Sequence, residues 1–269
     1  MIRYAIEDIA CVKPCDGYIS ICAPQNYAIR PKETKLIGTG LRVAIPYGYD
    51  GGLYVSENLL NKNVILVNWI GTIDSDYRGE IKFILKNLSD SILKIDKGEL
   101  LGRLSIIPVF QYNNLLPTSD TMPKIEIRLE PGCRAPAYQT EGASGADLAA
   151  CIKEPINVDP YSVIRIPTGV TVEIPEGYEL QVRPRSGLAA KHDITIVPQF
   201  YRGHSIVSIE VFIVNLGSSQ FIISPGDRIA QMVVIPVSKN VFIEVTQDEL
   251  DQTQRGEHGF GSTGRNYSA

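Results

Sequence analysis

The sequence TGLRVAIPYGY at residues 39–49 returns as TGVTVEIPEGY at residues 168–178, and this repeat decides the fold. Seven of the eleven positions are identical, and all of them are separated by 129 residues. A second pair, KGELLGRLSIIPV at 97–109 and PGDRIAQMVVIPV at 225–237, is separated by 128 residues. Solenoid repeats recur every 20–50 residues or so. The longer spacing therefore indicates two copies of an ordinary domain.

Composition favours many short strands in both copies. The chain has 269 residues, of which 23 are glycine and 17 are proline, so turns are frequent. Runs such as IKFILKNL (81–88) and SIEVFIVNLG (208–217) are β-branched, apolar and bounded by turn residues. Helical periodicity is weak, and residues 187–193 permit one short helix in the second copy. We therefore predict an all-β chain of two tandem β-barrel or jelly-roll domains.

A polar junction and a glycine-rich tail set the predicted domain boundaries. The stretch QYNNLLPTSDTMPK (111–124) is polar and contains two prolines. The residues after Gln247 include four glycines and few core residues, which predicts a mobile C-terminal arm. The predicted domains are 1–118 and 119–248, and the predicted arm is 249–269.

Charge, cysteine content and hydropathy limit the partners and the location. A net charge of -4 argues against a broad electrostatic grip on polymeric nucleic acid. The five cysteines are odd in number and scattered, which argues against a disulfide framework and for a reducing compartment. No apolar run has the length of a membrane span, and the start MIRYAIEDIA lacks the layout of a signal peptide. We expect an intracellular protein, cytoplasmic or nuclear in a host cell, that is not secreted and has no membrane partner.

The second copy carries polar residues that the first copy lacks. Asp147 begins an apolar strand in EGASGADLAA, where the 129-residue offset places Tyr18 in the first copy. The segment RPRSGLAAKHD (183–193) contains arginines, whose planar guanidinium groups can donate to phosphate oxygens. Its serine and glycine let backbone N–H groups come close to an anion. The first copy has SENLL (56–60) at that point. Alone, Asp147 is more often a turn residue, and the basic segment is as often a solvated turn, but the difference between the copies favours function.

The first copy and the tail supply the complementary features. Asp74 and Tyr77 lie in NWIGTIDSDYRGEI, whereas the second copy repeats Tyr-Arg-Gly at 201–203 without an aspartate. An aspartate at the end of a strand can act on a water as general base, although a hairpin-turn aspartate is commoner. RGEHGFGSTG (255–264) combines phosphate-compatible glycines with Phe260, which can stack on a base. A plain glycine-serine tail is the alternative.

Together these segments resemble the five motifs of deoxyuridine triphosphate nucleotidohydrolases (dUTPases). GASGADL is similar to the first motif, RPRSGLAAKH to the second, GTIDSDYRGEI to the third, GDRIAQM to the fourth and RGEHGFGSTG to the fifth. The resemblance implies Mg²⁺-assisted hydrolysis of dUTP to dUMP and pyrophosphate. The third motif comes first, in the other copy, which is similar to the double-length monomeric dUTPases of herpesviruses. That order implies a virus-like monomer with one site collected from both copies.

The resemblance also implies a role for each site residue. Asp74 is the expected general base for attack of water on the α-phosphorus, and Asp147 is expected to hold Mg²⁺ through water. Asn68 is expected to read uracil, and Tyr77 to pack under the deoxyribose. The expected phosphate contacts in the second copy are Arg185, Ser186, Gly187 and Gln231. The expected contacts from the arm are Arg255, Phe260, Gly261, Ser262 and Thr263, with Phe260 on the uracil.

Two rival functions are weaker on the residues. A dCTP deaminase shares the barrel pattern, but its third motif and arm are expected to differ from those quoted. A duplicated relative kept only as a protein-binding module is expected to have eroded motifs, and these are intact. The three histidines are dispersed without the spacing of metal ligands, so zinc is not expected.

Overall fold

The structure is a computed structural model and describes residues 3–6, 11–15, 17–109 and 124–237. Most of the predicted junction lies outside the described residues. So do the arm 249–269, Arg255 and the segment from Phe260 to Thr263.

Each copy is built from short strands and one short helix. The strands of the first copy are β1 (Arg3–Ile6), β2 (Cys11–Cys15), β3 (Tyr18–Cys22), β4 (Tyr27–Ile29), β5 (Thr34–Gly38), β6 (Leu41–Ala44), β7 (Tyr49–Val55), β8 (Val64–Leu66), β9 (Gly71–Ile73), β10 (Lys82–Asn87), β11 (Leu93–Ile95) and β12 (Leu100–Pro108). Helix α1 (Glu57–Asn61) follows β7. The strands of the second copy are β13 (Glu126–Leu129), β14 (Ala146–Ala149), β15 (Ile156–Val158), β16 (Val163–Ile174), β17 (Tyr178–Arg183), β18 (Ile194–Ile196), β19 (Gln199–Arg202), β20 (Ser205–Asn215), β21 (Phe221–Ile223) and β22 (Arg228–Pro236). Helix α2 (Ser186–His192) follows β17.

Most of the sheets of one copy have a counterpart in the other. The order β2-β3-β12-β7-β9 in the first copy corresponds to β14-β22-β17-β19 in the second, where a bridge at Ala137 takes the place of β2. The pair β4-β11 corresponds to β15-β21, and β5-β10-β8 corresponds to β16-β20-β18. This confirms an all-β chain with two tandem domains. Among the described residues the strands form separate sheets and do not close into a barrel.

The repeated sequence builds the same turn twice. Thr39 and Thr168 are fully buried, and each hydroxyl donates to a backbone carbonyl at 2.7 Å, that of Ile81 just before β10 and that of Ile209 in β20. The glycine that follows each threonine has a positive φ, 70° at Gly40 and 65° at Gly169. Side chains rarely adopt that conformation, so the Thr-Gly pair is kept in both copies by backbone geometry.

Each copy has its own apolar core, and a third cluster lies between the copies. Phe83 and Ile37 are fully buried in the first core, and Val211 and Ile213 in the second. The cluster between the copies consists of Val67, Ile84 and Ala189, with Ala190 and Leu216 packed against it.

The copies differ most around the segment that carries Asp74. In the second copy, β20 pairs with β16 along nearly its whole length, from Ser205 to Val214. In the first copy, β16 is replaced by the shorter β5 and β6, β10 pairs with β5, and β6 pairs with β1. Residues 74–81 are therefore released from the sheet and form a loop that reaches the second copy.

The two Tyr-Arg-Gly sequences do not occupy equivalent positions. Thr72 pairs with Gly52 on β7, and Phe200 pairs with Gln181 at the matching position of β17. Phe200 is therefore the counterpart of Thr72, and Arg202 is the counterpart of Asp74. Tyr201 and Arg202 lie inside β19, whereas Tyr77 lies in the released loop. The sequence-based alignment at this point is wrong, because that loop has no equivalent in the second copy.

Two further expectations change. A helix is present in each copy, whereas the sequence permitted one in the second copy alone. Cys133 and Cys151 form a disulfide with a Cα–Cα distance of 5.3 Å, although the cysteine pattern argued against a disulfide framework. Among the described residues, no helix is long and apolar enough to span a membrane.

Candidate active site

A cavity of about 300 Å³ lies between the two copies and collects much of the predicted site. Its lining from the first copy includes Asn68, Asp74 and Tyr77. Its lining from the second copy is Ser186, Gly187 and Ala190. The structure therefore places the third-motif residues opposite the second-motif residues.

Asp74 is held at this boundary by the second copy. It follows β9, and its Oδ1 accepts a hydrogen bond of 2.8 Å from the backbone N–H of Ser144. Burial raises the pKa of Asp74, and the charges of Asp76 and Asp147 raise it further, while the bond from Ser144 lowers it. A raised pKa brings a carboxylate nearer to the value that suits proton transfer at neutral pH. The carboxylate is thus oriented at one oxygen and more basic than an exposed aspartate.

The loop after Asp74 is fixed to the same segment of the second copy. Ser75 donates from its backbone N–H to the carbonyl of Gly142 at 3.2 Å, and from its hydroxyl at 3.0 Å. A side chain at Gly142 would collide with Asp76, so the close approach requires glycine there. The first and third motifs therefore meet through main-chain contacts.

The uracil and sugar candidates lie on the first-copy wall of the cavity. Asn68 is 5% exposed, and its Oδ1 has no hydrogen-bond partner in the described part of the chain. A buried unpaired acceptor is costly, which indicates a ligand donor at this point. Tyr77 is 43% exposed, and its hydroxyl donates to the carbonyl of Glu80 at 3.0 Å. That bond holds the ring at the edge of the cavity.

Gly187 is a glycine that the fold itself does not require. It lies in the first turn of α2, its φ is not positive, and an added Cβ would meet no atom within 4 Å. Every other described glycine has either a positive φ or a neighbour inside that distance. The open space beside this exposed helical backbone leaves room for a ligand to approach it closely.

Asp147 lies beside two arginines. Its Oδ1 is 3.3 Å from Nε of Arg185, and its Oδ2 is 2.9 Å from Nη1 of Arg228. Arg185 also donates to the carbonyl of Arg228 at 2.6 Å, and burial lowers its pKa. Gln231 pairs with Asp147 across the strands and donates from Nε2 to the carbonyl of Pro184 at 3.1 Å. Arg185, Asp147 and Gln231 thus form one polar cluster next to Gly187.

This cluster fits a magnesium ion that arrives with a triphosphate. A single carboxylate beside guanidinium groups cannot form an all-protein cage, but Mg²⁺ prefers oxygen ligands, keeps waters and is often held by one carboxylate with substrate phosphates. Asp147 would hold the ion, and the arginines would face the phosphate charge.

The corresponding surface of the first copy is filled. The strand register makes Ser20, and not Tyr18, the counterpart of Asp147, which corrects the 129-residue offset at this strand. Arg103 stands in the place of Gln231, and Tyr54 in the place of Arg183. The Arg103 guanidinium lies 5.4 Å from the ring centre of Tyr54 and 5.9 Å from that of Tyr18. Within the part of the first copy that the structure describes, the carboxylate and the open phosphate surface are therefore lacking at this place.

Sequence reasoning missed the buried pair Arg183–Asp50. The two side chains are 2% and 0% exposed and are 2.6 Å apart, although they come from different copies. Burial raises the pKa of Asp50, against the opposing charge of Arg183. The repeat carries a signal at Arg183, which aligns with the uncharged Tyr54, but none at Asp50, which aligns with another acidic residue, Glu179. A charge that changes between copies marks a contact that only one arrangement of the copies can satisfy.

Comparison with known proteins places this tandem all-β fold in one family of nucleotide hydrolases. The sequence profile of the dUTPase family matches residues 13–128 and again residues 132–264. The chain belongs to the dUTPase family, with two family domains in tandem.

Proteins similar to this chain include two bacterial enzymes and one bacteriophage protein of solved structure. The deoxyuridine 5'-triphosphate nucleotidohydrolase of Chlamydia caviae is 52% identical over 147 residues, which are 52% of this chain and 97% of that protein. The enzyme of the same name from Chlamydia pneumoniae is 51% identical over 142 residues, which are 51% of this chain and 94% of that protein. A solved structure of the Staphylococcus bacteriophage 80alpha dUTPase with dUpNHpp matches with a TM-score of 0.49 and 24% identity, over 53% of this chain and 99% of that one.

Proposed function

We propose that this chain hydrolyses dUTP to dUMP and pyrophosphate at one active site that both copies build. The observation that carries the proposal is the cavity between the copies, where Asp74 and Asn68 face Ser186 and Gly187. Family membership supports the same reaction. The first copy has Arg103 and Tyr54 where a second phosphate surface would be, so one complete set of residues is available.

Asp74 is proposed to take the proton from the attacking water. The Ser144 N–H fixes one carboxylate oxygen, which leaves the other to face the water. Because burial raises the pKa of Asp74, its ionised form is a stronger base than an exposed aspartate. Fixing the carboxylate also fixes the direction of attack on the α-phosphorus, and alignment is a large part of catalysis in phosphoryl transfer.

The second copy is proposed to bind the triphosphate. Ser186 and Gly187 line the cavity, Arg185 precedes them, and the Nε2 of Gln231 is bonded to the neighbouring Pro184 carbonyl. We assign the phosphate contacts to these four residues. Asp147 would hold Mg²⁺, which neutralises phosphate charge when it is bound. The pairs from Asp147 to Arg185 and Arg228 keep these donors together and place two positive charges where negative charge develops.

Base and sugar recognition is assigned to the first copy and the arm. The unpaired Oδ1 of Asn68 can accept from the N3–H of uracil, which cytosine lacks. Tyr77 is proposed to pack under the deoxyribose and exclude a 2′-hydroxyl. Arg255, Phe260 and the residues to Thr263 are proposed to close over the bound nucleotide. A monomeric chain and an intracellular location remain predictions.

The test combines turnover with stoichiometry. Pyrophosphate release is measured with dUTP, UTP and dCTP, and ammonia release is measured with dCTP, because deamination of dCTP releases ammonia and leaves the triphosphate intact. A non-hydrolysable dUTP analogue is titrated while light scattering gives the mass of the protein. We expect turnover of dUTP alone, one analogue per chain and the mass of a single chain. Preferred turnover of dCTP would support a deaminase-type relative, and two or three analogues per chain would contradict a site built from both copies.

A further inference from the structure

Arg183 connects the two walls of the cavity. It is 2% exposed, and its Nη1 donates to Oδ2 of Asp50 at 2.6 Å and to Oγ1 of Thr72 at 3.3 Å, both in the first copy. Its Nε donates to Oε1 of Gln181 at 2.8 Å, in its own copy. One guanidinium therefore bonds to both copies in a fixed plane, which is a geometry that lysine cannot reproduce.

The position of this contact relates it to the reacting groups. Arg183 is two residues before Arg185, and Thr72 is two residues before Asp74. Arg183 also pairs with Gln231 across the strands. A shift of Arg183 against Thr72 would therefore move the phosphate-binding residues relative to the general base.

The contact can form only once in the chain. The counterpart of Arg183 in the first copy is Tyr54, and the counterpart of Thr72 in the second copy is Phe200. A tyrosine and a phenylalanine cannot make these bonds. The three residues therefore specify which face of the first copy meets which face of the second.

Stability is a poor explanation for such a pair. Burying two charges costs desolvation free energy that the attraction between them often does no more than offset. Asp50 is fully buried, and its Oδ1 has no hydrogen-bond partner among the described residues, so the pair is not even fully satisfied. A buried ion pair with an unpaired oxygen is better explained by the relative position of the two copies that its hydrogen bonds fix.

We infer that Arg183, Asp50 and Thr72 form a clip that positions the general base against the phosphate-binding residues across the boundary between the copies. The three are positioning residues, because they act through Asp74 and Arg185. The inference rests on the proposed function in assigning those two roles.

The kinetic test uses Asp50→Asn and Arg183→Lys. Each substitution roughly keeps the size of the side chain but weakens the hydrogen-bonded pair between Arg183 and Asp50. Misplacement of reacting groups by about 1 Å costs on the order of 100-fold in rate. We expect kcat for dUTP to fall about tenfold to 100-fold in both variants, with KM within about threefold of the unmodified enzyme. Thr72→Val removes one contact alone, so its loss should be smaller than the loss in Arg183→Lys.

The matched control is another ion pair between the copies, of which the lysine is buried and the aspartate half-buried. Nζ of Lys86, which is 2% exposed, lies 3.2 Å from Oδ2 of Asp193, at the end of α2 opposite to Ser186. Lys86→Gln should lower thermal stability without changing kcat by more than about twofold. Equal losses of kcat in Lys86→Gln and Asp50→Asn would overturn the inference, because any damage to the boundary would then have the same effect.

A second readout does not depend on turnover. Trp69 is the single tryptophan of the chain, is 47% exposed and lies next to Asn68 in the segment that leads to β9. Its fluorescence emission should shift in Asp50→Asn and Arg183→Lys and stay unchanged in Lys86→Gln. Unchanged emission with kcat within twofold would refute the clip while the proposed function stands. If the unmodified chain does not hydrolyse dUTP, the proposed function fails, and the Trp69 emission still decides whether the clip positions this segment.

Discussion

Substituting alanine for Gly187 should make the protein more stable and less active. The added methyl group would meet no protein atom within 4 Å, and the backbone at Gly187 is ordinary helix. Glycine inside a helix costs about 0.5–1 kcal/mol relative to alanine. Because Gly187 is exposed in the first turn of α2, the gain should lie at the lower end of that range.

The loss of activity follows from the same open space. If the α- or β-phosphate approaches the backbone of Gly187, the methyl group displaces it, and a displacement of about 1 Å is enough to reduce the rate by roughly 100-fold. A gain of about 0.5 kcal/mol corresponds to an increase in Tm of about 1–2 °C for a chain of this size. The expected variant therefore has a slightly higher Tm and a kcat/KM about 100-fold lower.

Differential scanning calorimetry and pyrophosphate release measure the two effects on one preparation. Lys191→Ala is the matched control, because Lys191 is exposed on the same helix and does not line the cavity. It should change kcat/KM by less than about twofold. A Gly187→Ala variant with normal kcat/KM would refute the phosphate role of this backbone, and a lower Tm would show that the fold does require glycine there.

The remaining predictions concern Asp74 and the arm. Asp74→Asn should reduce kcat about 10²- to 10⁴-fold with analogue binding retained. Burial raises the pKa of Asp74 in the folded state, so the contribution of this group to folding stability falls as pH rises above about 4. At neutral pH the Asp74→Asn variant buries no charge at this position and should therefore have a higher Tm than the unmodified protein. For the same reason kcat/KM should fall as pH drops through that raised pKa, and Asp76→Asn, which removes a like charge, should shift this limb to lower pH. Deleting 249–269 should leave both copies folded by circular dichroism but abolish turnover, and Phe260→Ala should lower kcat/KM about tenfold to 100-fold, since base stacking is worth about 1–3 kcal/mol.

The sequence was sufficient for the parts of the fold that repeat. The buried threonines at 39 and 168 and the matching strand runs predicted two all-β copies, and the structure has them. It was also sufficient to separate the residues that differ between the copies. Asp74, Asn68 and Tyr77 were expected opposite Ser186 and Gly187, and these five residues line one cavity. The repeat predicts the fold because the residues shared by both copies maintain it. Residues that differ between the copies are not needed for the shared fold and are therefore candidates for the site.

The remaining features depend on register and on contacts between distant segments. A constant offset misplaced the counterpart of Asp147. The offset is 127 at this strand and 129 at the Thr-Gly turn, because the second copy has two more residues between the two points, and Ser20 is the counterpart. The helix α1 is only five residues long and has no helical periodicity to detect. The Arg183–Asp50 pair joins residues 133 positions apart. Periodicity describes a single segment and does not report which faces of two domains meet.

The topology also explains why the second copy cannot supply its own base, and this gives a last prediction. The counterpart of Asp74 is Arg202, which ends the edge strand β19 and lies 3.4 Å from Glu179. Its strand continues almost directly into β20, so no loop is released to carry a carboxylate toward another domain. Arg202→Asp, introduced into the Asp74→Asn variant, should therefore restore less than about twofold of the lost kcat. A recovery of tenfold or more would show that residue type, and not the released loop of the first copy, limits the chain to one site.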